Sequence, residues 1–184
     1  MDVLEAIKTR RAYRSLEPVN ITKKMINDLA ECARLAPSCF NNQPWKYIFV
    51  YDKKVLKNLY LALSEGNKWV HNASLIIVIL GKKEDDCVIN DRIYYIFDIG
   101  MATANIILRA TELDLVAHPI AGYSPRKTRE ILGIPDYLDV IALLIVGKKS
   151  DKIFDILTDK QKESEIIRPK RKEIDEFVYI NRYV

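Results

Sequence analysis

The chain has 184 residues, of which 49% are hydrophobic and 29% charged, with a formal net charge of +4 at pH 7. This length and composition predict one soluble globular domain, and so small a net charge does not indicate nucleic-acid binding. The longest strongly apolar run, Leu75 to Leu80, is far too short to cross a bilayer, and the N-terminus lacks the pattern of a secretory signal. We therefore expect a cytoplasmic protein that binds neither nucleic acid nor membrane.

The cysteines and histidines predict neither a disulfide framework nor a metal site. Cys32, Cys39 and Cys87 are an odd number with no close spacing, which is typical of a reducing cytoplasm. His71 and His118 do not stand in a metal-ligand spacing. Neither a P-loop nor a dinucleotide-binding glycine pattern occurs in the sequence, so demanding chemistry would have to come from an organic cofactor.

Helices and strands alternate along the predicted chain. Thr22 is a good N-cap for a helix that Pro37 ends. The apolar run Ser74 to Leu80 is typical of a strand buried on both faces. Asp91 to Leu113 predicts the longest helix, apolar nearly all round and so buried against the sheet or a second subunit. The other predicted elements are strands over 46–51, 116–120 and 140–146 and helices over 55–63 and 125–133.

This order of elements predicts an α/β layered architecture. From Ser150 onward the chain is rich in Lys, Asp and Glu and poor in apolar residues. Such a segment cannot build its own core, so residues 150–184 are interpreted as an arm of the same domain.

A polar turn between the first long helix and the next strand is the most informative segment. Residues 36–45 read A-P-S-C-F-N-N-Q-P-W, with amide and hydroxyl side chains between two prolines. These groups can pair with a ligand that is rich in donors and acceptors. The segment closely resembles A-P-S-x-x-N-x-Q-P-W of the nitroreductase family, flavoenzymes that bind FMN.

A basic segment near the N-terminus supports the resemblance. Residues 10–14 read R-R-A-Y-R, and three guanidiniums this close can converge on one phosphate or form a solvated basic patch. The segment is similar to the family signature R-R-S-x-R. Ala12 stands where the family usually has serine, which removes one hydroxyl that could bond the cofactor.

Three further segments match the family in the same order. Asp98 to Ala110 resembles the pattern of its central helix, and Pro119 to Tyr123 resembles the p-i-x-G-f turn. Residues 170–178 are similar to its closing basic pair and L-E-E-x-V. For Asp98 and Asn105 we expect structural roles, with their polar atoms bonded to neighbouring backbone or to a second subunit.

The resemblance implies an α+β nitroreductase-like fold, with a central mixed sheet flanked by helices, in an intertwined homodimer. Residues 1–184 would be a single domain whose arm, 150–184, packs on the partner subunit. FMN would lie at the interface, with residues from both chains around it.

The resemblance also implies roles for individual residues. Arg10, Arg14 and Arg171, with Lys170 as a further candidate, would bind the FMN phosphate, and Arg11 or Arg10 would place a cation near flavin N1 and O2. The loop at 37–41 would come from the partner chain, while backbone N–H groups at 121–122 approach flavin N5. The candidate cofactor-binding residues are Arg10, Arg11, Ala12, Arg14, Pro37, Ser38, Cys39, Asn41, Asn67, Pro119, Ile120, Ala121, Gly122, Lys170 and Arg171.

The implied reaction takes hydride from NADH or NADPH onto flavin N5 and passes electrons to a nitroaromatic, a quinone or a similar small molecule by a ping-pong mechanism. No side chain is expected to act as a catalytic acid or base. Two alternatives stay open, a non-enzymatic or regulatory FMN-binding protein and a specialised flavin enzyme such as a dehalogenase. The compact stretch Glu84 to Arg92 leaves little room for the long lid that the second would need.

Overall fold

Two apolar strands form the centre of the fold in the computed structural model, which describes residues 1–183. β3 (Leu75–Gly81) is buried along its whole length, as its continuous aliphatic run predicts. It pairs with the longer β7 (Asp139–Lys149), Leu75 lying opposite Val146. The remaining strands of this sheet are β1 (Leu16–Glu17), β2 (Lys46–Val50) and β6 (Val116–Ile120), in the order β1-β7-β3-β2, with β6 also paired to β7.

Strand direction differs from the predicted mixed sheet. Every pairing that residues 1–183 make in this sheet is antiparallel. Apolar periodicity reports burial, and a central strand is buried in the same way whether its neighbours are parallel or antiparallel. The layered arrangement of helices on a sheet is confirmed, whereas the strand directions had to come from the structure.

Side-chain caps begin several of the helices where the sequence predicts them. Thr22 accepts a hydrogen bond from the Met25 N–H, and Ser124 accepts one from the Lys127 N–H, with Pro125 as the first helical residue. The α-helices are α1 (Val3–Thr9), α2 (Lys23–Arg34), α3 (Lys53–Leu59), α4 (Tyr95–Glu112), α5 (Pro125–Leu132) and α6 (Asp159–Ile166).

The long helix α4 begins four residues later than predicted. A small hairpin precedes it, made of β4 (Val88–Ile89) and β5 (Arg92–Ile93). Asn90 turns this hairpin with a φ of 55°, a conformation that asparagine tolerates better than most residues. The predicted helix start at Asp91 therefore falls inside the hairpin.

The sheet is covered on both faces. On one face α2 and α4 pack Leu29, Ile99 and Ile106 against β3 and β7, all three side chains being fully or almost fully buried. On the other face α3 and a 3-10 turn over Glu65–Asn72 bury Leu59 and Trp69. The central helix is thus buried against the sheet. None of the helices that residues 1–183 form is long and apolar enough to span a membrane.

The first part of the arm docks on its own chain. Ser150 and Leu157 are buried, and the Ser150 N–H donates to the Ser15 carbonyl. Beyond α6 the side chains are exposed, including large apolar ones. The packing of this segment on a partner subunit stays a prediction.

Candidate functional site

The segment that leaves α1 is fixed to α6 by a buried carboxylate. Glu165 accepts hydrogen bonds from the N–H groups of Arg14, at 2.9 Å, and Ser15, at 3.1 Å. Arg11 adds to this fastening, because its guanidinium donates to the Ser164 carbonyl at 2.5 Å and lies 4.7 Å from the Tyr13 ring centroid. The Arg11 guanidinium is therefore occupied by groups of its own chain, and the neighbouring backbone is held in place.

The guanidiniums of Arg10 and Arg14 are not occupied in this way. Among the ion pairs formed by residues 1–183, none includes Arg10, Arg14, Arg168 or Arg171. The pKa of Arg10 is lowered, first by burial and then by the charges of Arg168 and Arg171. Lys170, by contrast, pairs with Glu173 at 3.4 Å. We call Arg10, Arg14, Arg168 and Arg171 the arginine cluster.

Arg168 is not among the residues predicted from the sequence. Its guanidinium donates to the carbonyls of Lys8 and Arg10, which draws the arm toward the end of α1. Lys149 is a second basic residue that was not predicted, with its Nζ 5.0 Å from the Tyr13 ring centroid. Uncompensated like charges held together in this way favour an anionic ligand.

A buried histidine connects the arginine cluster to the next part of the site. The His118 ring packs against Trp69 with 4.8 Å between centroids and 30° between ring planes, and its Nδ1 lies 3.1 Å from the Tyr13 carbonyl. Burial lowers the pKa of His118 to about 4; the nearby charges of Arg14 and Arg10 act in the same direction, against the Tyr13 hydrogen bond. His118 is therefore neutral at pH 7.

We expect His118 to make the fold acid-sensitive. Its folded pKa of about 4 lies below the ordinary 6.5, so the unfolded chain takes up the proton first as pH falls. The part of the free energy of unfolding that depends on neutral His118 is fully present above about pH 6.5. It is lost as the pH falls toward 4, and the total loss is about 3 kcal/mol. Urea unfolding at pH 7 and pH 4.5 should show a smaller loss in His118→Asn, whose amide can still donate to Tyr13. Equal losses would contradict this assignment.

The turn after β6 lies next to Trp69. The Asn67 side chain donates to the Gly122 carbonyl at 2.8 Å and accepts from Trp69 Nε1 at 3.2 Å. Within residues 1–183 the N–H groups of Ala121 and Gly122 donate to no other group. Pro119 is exposed and has no N–H, and Ile120 is buried at the end of β6. Ala121 and Gly122 are therefore the residues of this turn that offer backbone donors.

Gly122 leaves no space for a side chain. An added Cβ would lie 2.5 Å from Asn67 Nδ2 and 2.6 Å from Ser64 Oγ. We expect Gly122→Ala to displace Asn67, break its bond to the turn and lower the free energy of unfolding by roughly 1–2 kcal/mol. Gly66→Ala is the matched control because nothing lies within 4 Å of its added Cβ. Equal unfolding midpoints in urea for the two variants would show that the turn is not so constrained.

The polar loop at 37–43 has an unusual backbone. Three of its residues, Phe40, Asn41 and Gln43, have positive φ values of 47°, 58° and 51°. The Ser38 hydroxyl accepts from the Gln43 N–H at 2.9 Å, which closes the loop on itself. Pro37 and Asn41 are exposed on it. The loop therefore presents its polar groups from a constrained conformation.

Asp98 and Asn105 of α4 have the structural roles expected of them. Asp98 accepts a hydrogen bond from the Cys39 N–H at 2.6 Å, which ties the loop to the first turn of α4. Asn105 donates to the Cys32 carbonyl at 3.1 Å. The pKa of Asp98 is raised, mainly by burial and also by the neighbouring Asp86. Neither side chain points to a role in catalysis.

The cysteine pattern was interpreted wrongly. Cys39 and Cys87 form a disulfide, with 6.1 Å between their Cα atoms, and Cys32 remains free. The two cysteines lie 48 residues apart in sequence, so their spacing gave no signal. They meet because the loop folds back onto the segment before β4.

The two groups of predicted residues do not meet within one chain. The loop contacts α4 at Asp98, whereas Arg10 and Arg11 share a small cavity with Thr111 near the other end of this helix. At 1.5 Å per residue, Asp98 and Thr111 are about 20 Å apart along α4. That cavity has a volume of about 150 Å³, well below the 300–1,000 Å³ typical of small-molecule pockets. Within one chain, the loop and the arginine segment therefore lie near opposite ends of α4.

Comparison with known proteins identifies the family. A sequence model of the nitroreductase family matches residues 7–68 and 64–148, which is well over half of the chain. The chain belongs to the nitroreductase family. The chain is 32% identical over 156 residues to a putative NADH dehydrogenase/NAD(P)H nitroreductase of Archaeoglobus fulgidus, covering 82% of this chain and 87% of the relative.

Further relatives support the same family and fold. The chain is 26% identical to the putative NAD(P)H nitroreductase MhqN of Bacillus subtilis, over 92% of this chain and 93% of the relative. Among solved structures, one described as an oxidoreductase containing FMN superposes with a TM-score of 0.86 at 26% identity, covering 100% and 93% of the two chains. A nitroreductase family protein from Clostridium novyi NT gives 0.76 at 28% identity, covering 82% and 87%. The predicted family and fold class are confirmed.

Proposed function

We propose that this nitroreductase is an FMN-dependent NAD(P)H oxidoreductase that passes electrons to an electron-poor small molecule such as a nitroaromatic or a quinone. The observation that carries the proposal is the arginine cluster, whose guanidiniums have no acidic partner within residues 1–183. His118, Trp69 and Asn67 connect it to the 121–122 turn, which has unused backbone donors. The relatives named as NAD(P)H nitroreductases and the FMN-containing neighbour support this reading.

The residues present fit the chemistry of FMN. A phosphate dianion would offset the positive charges of Arg10, Arg14, Arg168 and Arg171 and accept charge-assisted hydrogen bonds from the guanidiniums of Arg10 and Arg14. Arg168 would contribute mainly its charge, because its guanidinium already donates to the carbonyls of Lys8 and Arg10. Arg11 is the least available arginine because α6 carbonyls already occupy it. Arg10 and Arg14 are therefore assigned to the cofactor, and Arg171 approaches the same site from the arm.

The turn and its neighbours would hold the flavin ring in position. Asn67 fixes the Gly122 carbonyl, while the N–H groups of Ala121 and Gly122 have no acceptor within residues 1–183. His118 and Trp69 form a rigid, uncharged support beneath them. When bound there, FMN would supply hydride acceptance at N5 and onward electron transfer. The chain itself contributes binding, orientation and backbone hydrogen bonds.

The site would be completed by a second copy of the chain. Pro37, Ser38 and Asn41 lie about 20 Å along α4 from the cavity at Arg10, so they would reach the cofactor only from a partner subunit. Large exposed apolar side chains are available for such an interface, on α1, at the start of α4 and on the arm: Val3, Leu4, Ile7, Ile96, Phe97, Ile174, Phe177 and Ile180. Exposed apolar surface of this extent favours a homodimer with the arm on the partner.

The test is anaerobic mixing of the FMN-loaded protein with NADH and, separately, NADPH while flavin absorbance is followed. Rapid bleaching that a nitroaromatic or a quinone reverses is the expected result, and it identifies the electron donor. Bound flavin that stays oxidised with both donors would overturn the proposal in favour of a non-enzymatic FMN-binding protein. The segment Glu84 to Arg92 contains only the β4–β5 hairpin and its approach, which offers no long lid for dehalogenase-like chemistry.

A further inference from the structure

The disulfide lies inside the loop that the proposed function assigns to FMN. Cys39 belongs to the 3-10 turn Cys39–Asn41, and Cys87 directly precedes β4. The bond therefore fastens the cofactor loop to the segment that leads into α4. Cys39 is partly exposed, whereas Cys87 is 8% exposed. A small thiol would reach the bond more easily at Cys39.

A buried carboxylate beside the sulfurs has few donors in the disulfide form, and its neighbour Asp98 is another carboxyl, whose pKa Asp86 helps to raise. Asp86 is 9% exposed, and the Asn42 side chain donates to its Oδ1 at 3.3 Å. Its Oδ2 has no hydrogen-bond partner within residues 1–183. Leaving such an atom unpaired costs free energy. One carboxylate oxygen of Asp86 and the two sulfurs lie within 4.8 Å of one another, so reduction would place thiol donors close to this carboxylate.

The loop conformation adds a second cost to the disulfide form. Phe40, Asn41 and Gln43 occupy the left-handed region, which side chains other than glycine enter only at a cost in free energy. The disulfide, the Cys39–Asp98 hydrogen bond and the Ser38–Gln43 hydrogen bond hold the loop there. Breaking the disulfide would remove one restraint on this backbone and would place thiol donors close to the Asp86 carboxylate. Both effects favour the reduced state.

We propose that Cys39 and Cys87 are a reversible thiol–disulfide couple in the cofactor loop, poised to exchange with low-molecular-weight thiols, and that their oxidation state sets the affinity for FMN. The effect on FMN rests on the proposed function, whereas the couple itself does not. The disulfide form binds FMN more tightly, because a cross-linked loop loses less conformational freedom on binding.

Exchange with glutathione gives a balanced reaction. A glutathione thiolate attacks Cys39 Sγ, the S–S bond breaks, and Cys87 takes up a proton as a thiol. A second glutathione thiolate then attacks the mixed disulfide on its glutathione sulfur, which releases glutathione disulfide and leaves Cys39 as a thiol. In total the protein gains two electrons and two protons, and two glutathione molecules are oxidised to one disulfide.

The first test needs no variant. The FMN-loaded protein is equilibrated anaerobically in buffers of graded ratio of glutathione to glutathione disulfide, then alkylated, and the modified cysteines are counted by mass spectrometry. We expect Cys39 and Cys87 to change together and reversibly across the series, while Cys32 stays a thiol. A pair that stays oxidised even in excess dithiothreitol, a pair that stays reduced throughout, or a reduced pair that retains stoichiometric zinc would overturn the proposal.

The second test measures FMN affinity by fluorescence in oxidised and reduced protein. We expect reduction to raise Kd about tenfold, a loop-ordering effect of the size expected for a lost cross-link. Cys87→Ser should match reduced wild type under both conditions, and Cys32→Ser should follow wild type. If Cys39 and Cys87 interconvert reversibly but oxidised and reduced protein have the same Kd for FMN, the proposed link to FMN affinity is wrong. Failure of every form to bind FMN would instead count against the proposed function.

Discussion

Replacing Arg10 and Arg14 together with alanine should weaken FMN binding by about 10²- to 10⁴-fold. Each charge-assisted hydrogen bond is worth roughly 1.5–3 kcal/mol, and each 1.4 kcal/mol corresponds to a tenfold change in Kd. Neither guanidinium has an acidic partner within residues 1–183, so little folding energy should be lost with them. Titration of the apoprotein with FMN, followed by flavin fluorescence, measures the change.

The matched control for this double variant is Arg34→Ala with Arg126→Ala. Both control arginines are exposed and pair only within their own helices, where such pairs contribute little to stability. The control should keep the wild-type Kd. If the Arg10 and Arg14 variant also keeps it, the arginine cluster is not the phosphate site.

The second large effect is expected from Glu165→Ala. Its carboxylate is the acceptor for the N–H groups of Arg14 and Ser15, and Ser15 is almost fully buried. Two unpaired N–H groups should lower the free energy of unfolding by roughly 2–5 kcal/mol, or the Tm by roughly 5–15 °C for a chain of this length. Thermal unfolding of the apoprotein measures this loss directly.

Two further variants make the Glu165 result specific. Glu163→Ala removes an exposed carboxylate from the same helix and should leave the Tm nearly unchanged. Glu165→Gln should fall between wild type and alanine because an amide oxygen can still accept. A wild-type Tm for Glu165→Ala would show that α6 does not hold the arginine segment in place.

Much of the local structure could be predicted from single residues. The caps at Thr22 and Ser124 and the burial of β3 follow from chemistry that acts over a few residues. The disulfide, by contrast, depends on tertiary contacts between segments 48 residues apart. Strand direction also depends on the path of the chain between strands, which apolar periodicity does not report.

In the candidate site, too, short sequence segments predict some residues, whereas others depend on tertiary contacts. The family-like motifs predict roles for Arg10, Arg14 and the 121–122 turn, all of which lie in short continuous segments. Glu165 and Arg168 were not found, because their partners lie about 150 residues earlier in the chain. Charged residues in a solvated arm give no sequence signal that separates a buried carboxylate from an exposed one. The fold alone reveals that the arm supports the arginine segment.

The most direct test of a shared FMN site is complementation between two defective subunits. One variant is Arg10→Ala with Arg14→Ala, the other is Ser38→Ala with Asn41→Ala, and each homodimer alone should bind FMN poorly. After subunit exchange in an equal mixture, about a quarter of all sites would combine an intact arginine cluster with an intact partner loop. We predict that this fraction regains wild-type FMN affinity and bleaching by NADH or NADPH. No recovery in a mixture shown to contain heterodimers would contradict a site built from two chains.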